Sequence, residues 1–597
     1  MKAFASELYA GQSKIIIAID IGTSNTGVSY AYLYPSGPQA VTRVSEWPGQ
    51  PPHRGESKIP TLIWYNRQNQ AVAYGAEAVT AETQNDAADY GWRLAKQFKL
   101  HLHPSTMRQK YNLAIEPLPP GVGLTQIYQD FLAYLLANTR QYFVDHVVDG
   151  VRVWNQYFPA SDIVIAHPNG WGIREQDFLR SAVAAAGWTR DSGSPRIHFI
   201  TEGEASVHYC MFHADLAPRF QRGISLLVCD AGGSTVDSTT YQVIAPQPQF
   251  KMKEIKASAC VQAGGIFVNL AAEQYLRQAL RTVRMMTAQD LEEAVAKAVT
   301  DFEANTKRAF QGSNGRGTLD LGAGRLTVEN LGIRRGRMNL DGNTIESFFK
   351  PLVDQIIASA LEQMEGLRVD HVLLVGGFGE SPYLREALRN SVSNSQVTIV
   401  NDSTAKAVSD GAVIWCSKQS VVARACRFQY GIVGRVMYNP QNPKHVGRRV
   451  TRDIDGINWI PNTWFPIVRR GDIMAPGQGV TRAFSRAYSH SRPDLGSFST
   501  PLYVFTRVSE PDPYWAFDTE VRPNPTPGIE KVCDLVANLS GLSGGLEQRS
   551  GPSGTFWHLD FRVGIEFGGT ELVAYIEWTE RGMIRRGSAT IIPHSII

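Results

Sequence analysis

The apolar positions in the first 245 residues contain two hairpins of the same design. IIIAID at 15–20 ends at a glycine turn, and a second apolar strand begins near Val28. ISLLVCD at 224–230 is followed by AGGSTVD and a return strand over 238–243. Continuous apolar runs bounded by glycine predict buried strands joined by tight turns. The aspartates that end the two leading strands, Asp20 and Asp230, stand 210 positions apart.

A strand, a loop and a helix follow each hairpin in the same order. DIVIA at 162–166 leads through HPNGWG into a helix predicted over 175–186. DHVLLV at 370–375 leads through GGFGESP into a helix from Tyr383, and the two strands start 208 positions apart. Chains with alternating strands and helices often contain such elements by chance. The matching glycine turns nevertheless favour an internal duplication of the same strand-loop-helix arrangement. Apolar residues at helical spacing also predict a longer helix before each strand, over 125–144 and over 345–364.

From about residue 415 the pattern becomes that of a β-rich domain. Pro and Gly become frequent, and LDFRVGIEF at 559–567 alternates apolar and polar residues, a pattern that continues through 571–592. Alternation with a period of two predicts antiparallel strands with one solvated face. The stretch 482–527, rich in Ser and Pro, is predicted to be a loop or an insertion.

Length and composition favour a folded protein with several domains. A chain of 597 residues exceeds what one hydrophobic core usually organises. The net charge of +3 gives no reason to expect nucleic acid or a membrane surface as a partner. Six cysteines without Cys-x-x-Cys spacing indicate neither a zinc site nor a disulfide framework. No apolar signal core and no bilayer-spanning run of about 18 residues are found, which predicts a cytoplasmic protein.

The two glycine turns have the chemistry of a phosphate site. Tight glycine turns expose consecutive backbone N–H groups, which form a concave site for anions. Asp20 and Asp230 precede the turns and suit a hydrated Mg²⁺ ion, which takes few protein ligands. Asp237 lies where it can orient or deprotonate an attacking water, or alternatively cap the turn. The turns consist of Gly22, Thr23, Ser24 and Asn25, and of Gly232, Gly233, Ser234 and Thr235.

Two other classes of phosphate-binding protein are excluded by the sequence. Walker-type loops need Gly-Lys followed by Ser or Thr, and the chain contains no Gly-Lys dipeptide. The His-Arg-Asp signature of protein kinases is also absent.

Three segments resemble the actin and 70-kDa heat-shock ATPase superfamily. AIDIGTSNTGVSY (18–30), LLVCDAGGSTVDSTTY (226–241) and HVLLVGGFGESPYL (371–384) are similar to its two phosphate motifs and its adenosine motif, in the same order. The resemblance is strongest to the heat shock 70 kDa protein 12 branch and its fungal relatives, through GGFGESPYL, FKLHL at 98–102 and EGEA at 202–205.

This resemblance implies an α/β fold with a duplicated actin-like (ribonuclease H-like) ATPase domain, in which two lobes surround a nucleotide cleft. A β-rich C-terminal domain, divergent from the standard substrate-binding domain, would follow it. The implied domains are an N-terminal extension at 1–13, lobe I at 14–210, lobe II at 211–415 and the β-rich domain at 416–597.

The resemblance also implies roles for residues that act on phosphate. Asp20 and Asp230 would hold hydrated Mg²⁺, and Thr23 and Thr235 would contact the γ-phosphate. Asp237 would act on the water. Two further positions complete the set, namely Glu202 near the metal-bound water and a catalytic lysine at Lys99, with Lys96 as the alternative.

Other residues would line the phosphates and the adenosine of ATP or ADP. Lys307 and Arg308 resemble the pair that packs on adenine, although Glu303 stands one residue farther from them than in the standard family. The remaining lining residues implied by the resemblance are Gly22, Ser24, Asn25, Gly232, Gly233, Ser234, Gly376, Gly377 and Phe378.

The sequence departs from the family pattern at several positions. Ser234 replaces the third glycine of the second phosphate turn and adds a Cβ near phosphate, which predicts slow turnover or none. Gly203 stands where proline is usual, and Phe378 and Glu380 replace small and basic residues. The sequence after 415 contains neither the hydrophobic-acidic linker nor the long helical lid of standard chaperones, so ordinary peptide clamping is not implied.

Three functions follow as alternatives. The first is a heat-shock-70-like protein that binds ATP, hydrolyses it slowly with Mg²⁺, and has a chaperone-like or regulatory role. Its client or regulatory proteins would bind the C-terminal β domain. The second is a nucleotide-binding scaffold with little or no turnover. The third is a metabolite kinase of the same fold, which is disfavoured because the first half shows no dedicated base for a small-molecule hydroxyl.

Overall fold

A computed structural model of the chain divides into two compact units. The first consists of Met1–Trp171 with Phe178–Val421, and the second of Gly172–Asp177 with Val422–Ile597. The structure describes residues 2–51, 56–104, 107–108, 115–213, 216–246, 249–283, 286–392, 396–399, 407–475, 477–507, 510–517, 524–568 and 571–587. The end of the alternating pattern predicted over 571–592 therefore lies outside the described residues.

The first unit contains a seven-stranded sheet in the order β1-β4-β3-β2-β9-β10, with β5 paired to β3. Its strands and those of a small neighbouring sheet are β1 (Lys2–Ala3), β2 (Lys14–Ile21), β3 (Asn25–Leu33), β4 (Ala40–Arg43), β5 (Lys58–Pro60), β6 (Leu62–Tyr65), β7 (Ala71–Tyr74), β8 (Arg93–Lys96), β9 (Asp162–His167) and β10 (Ile197–Thr201). β3 is antiparallel to β2, whereas β9 is parallel to β2 and β10 to β9. The predicted N-terminal extension thus contributes β1 to this sheet.

A second sheet in the same unit repeats this arrangement. The next strands are β11 (Ser225–Ala231), β12 (Val236–Ala245), β13 (Lys251–Glu254), β14 (Ala259–Val261), β15 (Arg316–Asp320), β16 (Ile333–Arg334), β17 (Arg337–Asp341), β18 (His371–Val375) and β19 (Gln396–Ile399). The order is β13-β12-β11-β18-β19, with β14 paired to β12. β12 is antiparallel to β11, whereas β18 is parallel to β11 and β19 is parallel to β18. The leading strands β2 and β11 are almost wholly buried, as their continuous apolar runs predict.

Helices cover the sheets with their apolar faces. They are α1 (Ala81–Tyr90), α2 (Lys99–Leu102), α3 (Leu124–His146), α4 (Gly150–Tyr157), α5 (Ile173–Ala185), α6 (Glu202–His208), α7 (Gly265–Leu280), α8 (Ala288–Asp301), α9 (Lys307–Ala309), α10 (Gly342–Met364), α11 (Pro382–Ser391) and α12 (Ala407–Lys418). α3 and α10 are the two long helices predicted from helical spacing. Phe131 of α3 and Phe349 of α10 are fully buried, each in the core of one sheet. Among the described residues, no helix is both long and apolar enough to cross a bilayer.

The second unit is built from antiparallel strands. They are β20 (Arg424–Ala425), β21 (Gln429–Met437), β22 (Thr451–Arg452), β23 (Asn458–Val468), β24 (Ile473–Met474), β25 (Gly479–Tyr488), β26 (Phe498–Phe505), β27 (Ile529–Ala537), β28 (Glu547–Gly551), β29 (Gly554–Gly568), β30 (Glu571–Glu580) and β31 (Met583–Gly587). One sheet has the order β22-β23-β21-β26-β27, and the other β25-β29-β30-β31 with β28 on β29. Leu502, Leu535 and Val563 share one buried core, in which Ile173 also packs.

The prediction that 482–527 is a loop or an insertion is wrong at 482–488 and at 498–505, which lie in β25 and β26. β25 pairs with β29 over ten residues, and β26 pairs with both β21 and β27. The alternation is hidden in β25 because arginines occupy positions on the same face as the apolar residues. Arg482 lies 4.8 Å from the ring centroid of Phe465 and Arg486 lies 4.6 Å from that of Phe498. The guanidinium groups of both arginines thus lie over aromatic rings, and that of Arg482 also donates a hydrogen bond of 2.7 Å to the Pro466 carbonyl.

Helix α12 is held against the first unit by close backbone packing. A Cβ atom added to Gly411 of α12 would lie 1.8 Å from the carbonyl oxygen of Ala205 in α6. The next residue toward the N-terminus, Asp410, is fully buried and accepts a hydrogen bond of 2.7 Å from the Ser29 hydroxyl. Only glycine permits this approach, and α6 carries residues of the cavity described below.

We therefore expect Gly411→Ala to loosen the contact between α6 and α12. Adding one methyl group to this packed contact forces the backbones apart and costs about 1–3 kcal/mol of stability. Hydrogen exchange measured by mass spectrometry should become faster in peptides that cover the two helices. Gly123→Ala is the matched control, because its added Cβ meets no atom within 4 Å. Equal exchange in the two variants would contradict the prediction.

Candidate functional site

A cavity of about 400 Å³ in the first unit is lined by both glycine turns. Its volume lies within the range of about 300–1,000 Å³ that is usual for small-molecule sites. Of the site residues expected from the sequence, the following line it: Asp20, Gly22, Thr23, Ser24, Asn25, Lys99, Glu202, Asp230, Gly232, Gly233, Ser234, Thr235, Lys307, Arg308, Gly376, Gly377 and Phe378. Residues more than 300 positions apart in the sequence therefore share one cavity.

The first turn, between β2 and β3, is closed by its own backbone and supported from β5. The amide of Gly22 donates to the carbonyl of Asn25 at 3.1 Å. Thr61, directly after β5, donates its amide to the carbonyl of Ser24 at 2.9 Å and its hydroxyl to that of Gly22 at 2.8 Å. The turn is thereby fixed by a neighbouring segment of the fold.

The second turn, between β11 and β12, is closed in the same way but supported by a helix. The amide of Gly232 donates to the carbonyl of Thr235 at 3.0 Å. At the start of α7, the amide of Gly265 donates to the Gly232 carbonyl at 3.1 Å and that of Ile266 to the Gly233 carbonyl at 2.9 Å. Two of the amides that a helix N-terminus leaves without helical partners are thus used to hold the turn.

The two turns touch each other through hydroxyl groups. Thr23 Oγ1 and Ser234 Oγ lie 2.6 Å apart and share a hydrogen bond. Beside it, a Cβ on Gly233 would approach Ser24 Oγ to 3.1 Å. Ser234, the departure from the family pattern, therefore joins the two turns directly.

Three carboxylates line the phosphate end of the cavity, and each has a specific partner. Lys58 Nζ lies 2.7 Å from Asp20 Oδ2, and Ser206 donates its hydroxyl to Asp230 Oδ2 at 2.5 Å. Burial raises the pKa of Asp230 to about 8, against the hydrogen bond from Ser206, and the neighbouring carboxylates add to the rise. Lys99 Nζ lies 2.6 Å from Glu202 Oε1.

Gly376 explains how the loop after β18 approaches Asp230 so closely. Its φ is +86°, and an added Cβ would lie 2.4 Å from Asp230 Oδ1 and 2.4 Å from the Ala231 carbonyl oxygen. The position therefore requires glycine both for its backbone conformation and for space.

The structure separates the two lysines considered for the catalytic role. Lys99 is buried at the cavity, with its Nζ 5.5 Å from the ring centroid of Trp171. Burial by itself lowers the pKa of Lys99, but the carboxylates of Glu202 and Asp20 outweigh it and hold that pKa above its ordinary value. The side chain of Lys96 is 42% exposed and pairs with Glu116 at 2.9 Å, away from the cavity lining.

Asp237, expected to act on the water, does not line the cavity. It is buried opposite Asp230 in the β11–β12 pair and accepts a hydrogen bond of 2.9 Å from the backbone amide of Asn169. The negative charge of Asp237 nevertheless contributes to raising the pKa of both Asp230 and Lys99. It therefore lies directly behind the phosphate end.

The adenosine end of the cavity contains the extra residue noted between Glu303 and Lys307. The segment Phe302–Thr306 forms a π-helical turn. Such a turn accommodates one additional residue in a helix. Glu303 and Lys307 consequently both line the cavity, with Glu303 Oε1 3.7 Å from Lys307 Nζ.

The residues of the phosphate end fit a hydrated Mg²⁺ ion better than a directly ligated metal. Asp20, Glu202, Asp230 and Asp237 influence one another electrostatically, and two ammonium groups, Lys58 and Lys99, face them. With all six groups ionised, two negative charges remain, which equals the charge of one divalent cation. In the described part of the chain no three His, Cys, Asp or Glu side chains are grouped to hold a metal directly. A hydrated Mg²⁺ ion needs few protein ligands.

Two polar residues of the site were not found by sequence reasoning. Lys58 lies on the short strand β5, and Ser206 lies in α6, one turn after Glu202. No motif spacing indicates Lys58, since its position depends on the pairing of β5 with β3. Ser206 directly follows EGEA at 202–205, which carries part of the resemblance, but its partner Asp230 lies on a separate strand, β11.

Comparison with known proteins identifies relatives along nearly the whole chain. No protein-family model matches it. Heat shock 70 kDa protein 12B of Homo sapiens is 22% identical over an alignment that covers 94% of this chain and 88% of the relative. Heat shock 70 kDa protein 12A is 21% identical in both Homo sapiens, with 89% of this chain and 86% of the relative covered, and Mus musculus, with 94% and 89%. Together with the paired glycine turns, these matches identify the chain as a divergent member of the heat-shock-70-like family.

Proposed function

We propose that this protein binds ATP or ADP with Mg²⁺ in the cavity between the two glycine turns. The proposal includes a duplicated actin-like domain, whose two lobes would be the halves built on β2 and on β11. The observation that carries it is that both turns, each preceded by an aspartate, line one cavity with Lys99 and Glu202. Paired turns of this kind suit a polyphosphate, because each presents backbone amides to anionic oxygens.

Mg²⁺ would be held near Asp20 and Asp230, largely through its own waters. When bound, it would neutralise charge on the phosphates and on the buried carboxylates. The hydroxyls of Thr23 and Thr235 would donate hydrogen bonds to the terminal phosphate. At the other end, Lys307, Arg308 and Phe378 would contact the nucleoside.

Slow hydrolysis of ATP is the activity that we propose for this site. Lys99 would stabilise negative charge that develops on the terminal phosphate, and Glu202 would keep the ammonium oriented through their 2.6 Å contact. Asp237, which lies outside the cavity lining, would act on the attacking water through its negative charge. A chaperone-like or regulatory role, with partners bound through 416–597, and a cytoplasmic location complete the proposal.

Lys99→Met tests the proposed charge stabilisation. Removing a preorganised cationic donor is expected to slow single-turnover ATP hydrolysis by about 100-fold. Nucleotide affinity, measured by calorimetry, should change less than the rate. Lys96→Met is the control, since that lysine lies outside the cavity lining and pairs with Glu116. Hydrolysis by Lys99→Met at the wild-type rate would reject the assigned role.

Asp237→Asn tests the proposed positioning of water. The substitution keeps the size of the side chain and an acceptor for the Asn169 amide, but it removes the negative charge. Loss of a group that orients or deprotonates water is expected to slow the chemical step by about 100-fold or more. The measurement is phosphate release in a single turnover. A variant that hydrolyses ATP as fast as wild type would rule out hydrolysis through Asp237.

A nucleotide-binding scaffold with little turnover is the second candidate, and one contact favours it. The 2.6 Å hydrogen bond between Thr23 and Ser234 engages a hydroxyl that the proposal assigns to the terminal phosphate. Ser234 also adds a side chain beside that phosphate. Both effects would slow the hydrolysis of ATP without preventing the nucleotide from binding.

Ser234→Gly distinguishes the two candidates. If Ser234 restrains turnover, the glycine variant should hydrolyse ATP at least about tenfold faster, a barrier change of about 1.4 kcal/mol. Ser234→Ala separates the two effects, because it removes the hydroxyl and keeps the Cβ. Phosphate release under single-turnover conditions is the readout. Fast hydrolysis by wild type with no gain in Ser234→Gly would dismiss the scaffold candidate.

A further inference from the structure

Lys58 is a partly buried cation at the proposed metal site that no motif of the chain accounts for. Its Nζ lies 2.7 Å from Asp20 Oδ2, and its side chain is 20% exposed, against 5% for Asp20. It lines the same cavity as both glycine turns. Burial raises the pKa of Glu202 in spite of the opposing charge of Lys99, and the charge of Lys58 also opposes that rise, so its influence reaches a second carboxylate.

The position of Lys58 is set by the fold. It opens strand β5, in which its Cα pairs with that of Gly27 in β3. Its carbonyl accepts a hydrogen bond of 3.1 Å from Gln50, and the next residue, Ile59, is fully buried. A Cβ on Gly27 would lie 3.3 Å from both Cγ and Cε of Lys58, so the stem packs along the strand. The ammonium is therefore held near Asp20 by a constrained backbone and a packed stem.

A fixed ammonium at Asp20 changes what that carboxylate can do for a metal ion. An oxygen already paired with Lys58 is less available to a second cation, since two positive charges would then repel each other over a few ångströms. The same ammonium provides positive charge beside the turn that would receive phosphate. Hydrogen bonds between an ammonium and phosphate are among the stronger ones in proteins.

We propose that Lys58 is a resident cation that takes over part of the charge-neutralising role of Mg²⁺, so that nucleotide binding in this protein depends only weakly on the metal. This inference rests on the proposed nucleotide site. It extends that proposal by assigning to Lys58 a contact with the nucleotide phosphates when Mg²⁺ is absent. Asp20 then serves chiefly to orient Lys58.

The test measures the affinity of a fluorescent ADP analogue in excess Mg²⁺ and in excess EDTA. The wild type should lose less than about tenfold in affinity when Mg²⁺ is removed. Lys58→Met should lose at least about tenfold more than the wild type in EDTA, and should stay within about threefold of it in Mg²⁺. Lys58→Arg keeps the charge and should retain most of the affinity in EDTA. Lys96→Met, which removes an exposed lysine paired with Glu116, should behave as wild type.

A second measurement follows the metal without nucleotide. Mn²⁺ binding to the nucleotide-free protein, followed by electron paramagnetic resonance, should be tighter in Lys58→Met, because Asp20 is released. Circular dichroism of each variant checks that it is folded. Equal Mn²⁺ affinity in Lys58→Met and wild type would count against the proposal.

The outcomes separate this inference from the function on which it rests. If wild-type protein binds ADP in Mg²⁺ but loses more than about 100-fold in EDTA, the role of Lys58 is wrong and the nucleotide site stands. The role of Lys58 is also wrong, and the nucleotide site again stands, if Lys58→Met and wild type lose ADP affinity by equal factors when Mg²⁺ is removed. If wild type binds no adenine nucleotide under either condition, both proposals fail.

Discussion

The candidate site depends on one constraint, which is the burial of several carboxylates at the ends of two central strands. Asp20 is the second-last residue of β2 and Asp230 the second-last of β11, and both are almost inaccessible to solvent. Burying a charge is costly unless it is paired or hydrogen-bonded. Lys58, Lys99 and Ser206 supply those partners, each within 2.7 Å of a carboxylate oxygen. A divalent cation would stabilise the ionised form of these carboxylates, since the pKa of Asp230 is raised to about 8 by burial.

The surrounding fold keeps this charged cluster compact. Gly376 lets the loop after β18 pass directly beside Asp230, and Gly411 lets α12 press on α6. α6 in turn contributes Glu202 and Ser206, which contact a lysine and an aspartate of different segments. The geometry of the site therefore depends on contacts between several segments of the first unit. A methyl group added at the contact between α6 and α12 is consequently expected to disturb the cavity as well.

Two departures from the family pattern lie at the cavity. Before Lys307 the segment Phe302–Thr306 forms a π-helical turn, and Lys307 and Arg308 both line the cavity. Ser234, in contrast, changes the phosphate end, because its hydroxyl bonds to the opposite turn. In the second unit, the described residues after 421 include only two short helical segments, Pro443–His445 and Ser540–Leu542.

Much of the fold was predictable because it is encoded locally. Continuous apolar runs identified β2 and β11, helical spacing identified α3 and α10, and glycine marked both turns, each within a few residues of the observed bounds. Strand β25 was missed because Arg482 and Arg486 occupy positions on the face of its apolar residues. Their packing on aromatic rings can be recognised only once the other strands are in place.

The sequence by itself determined that two Asp-x-Gly turns occur at matched spacing and that a related strand, loop and helix follow each. Residue types and periodicities are local properties, so they can be read without the fold. Only the tertiary structure decided that Lys99 rather than Lys96 reaches the cavity, that Asp237 lies behind it, and that Lys58 faces Asp20. These placements depend on which strands pair and on which side chains are buried together. Pairing between distant segments arises only in the folded chain, so it cannot be predicted from the sequence of any single segment.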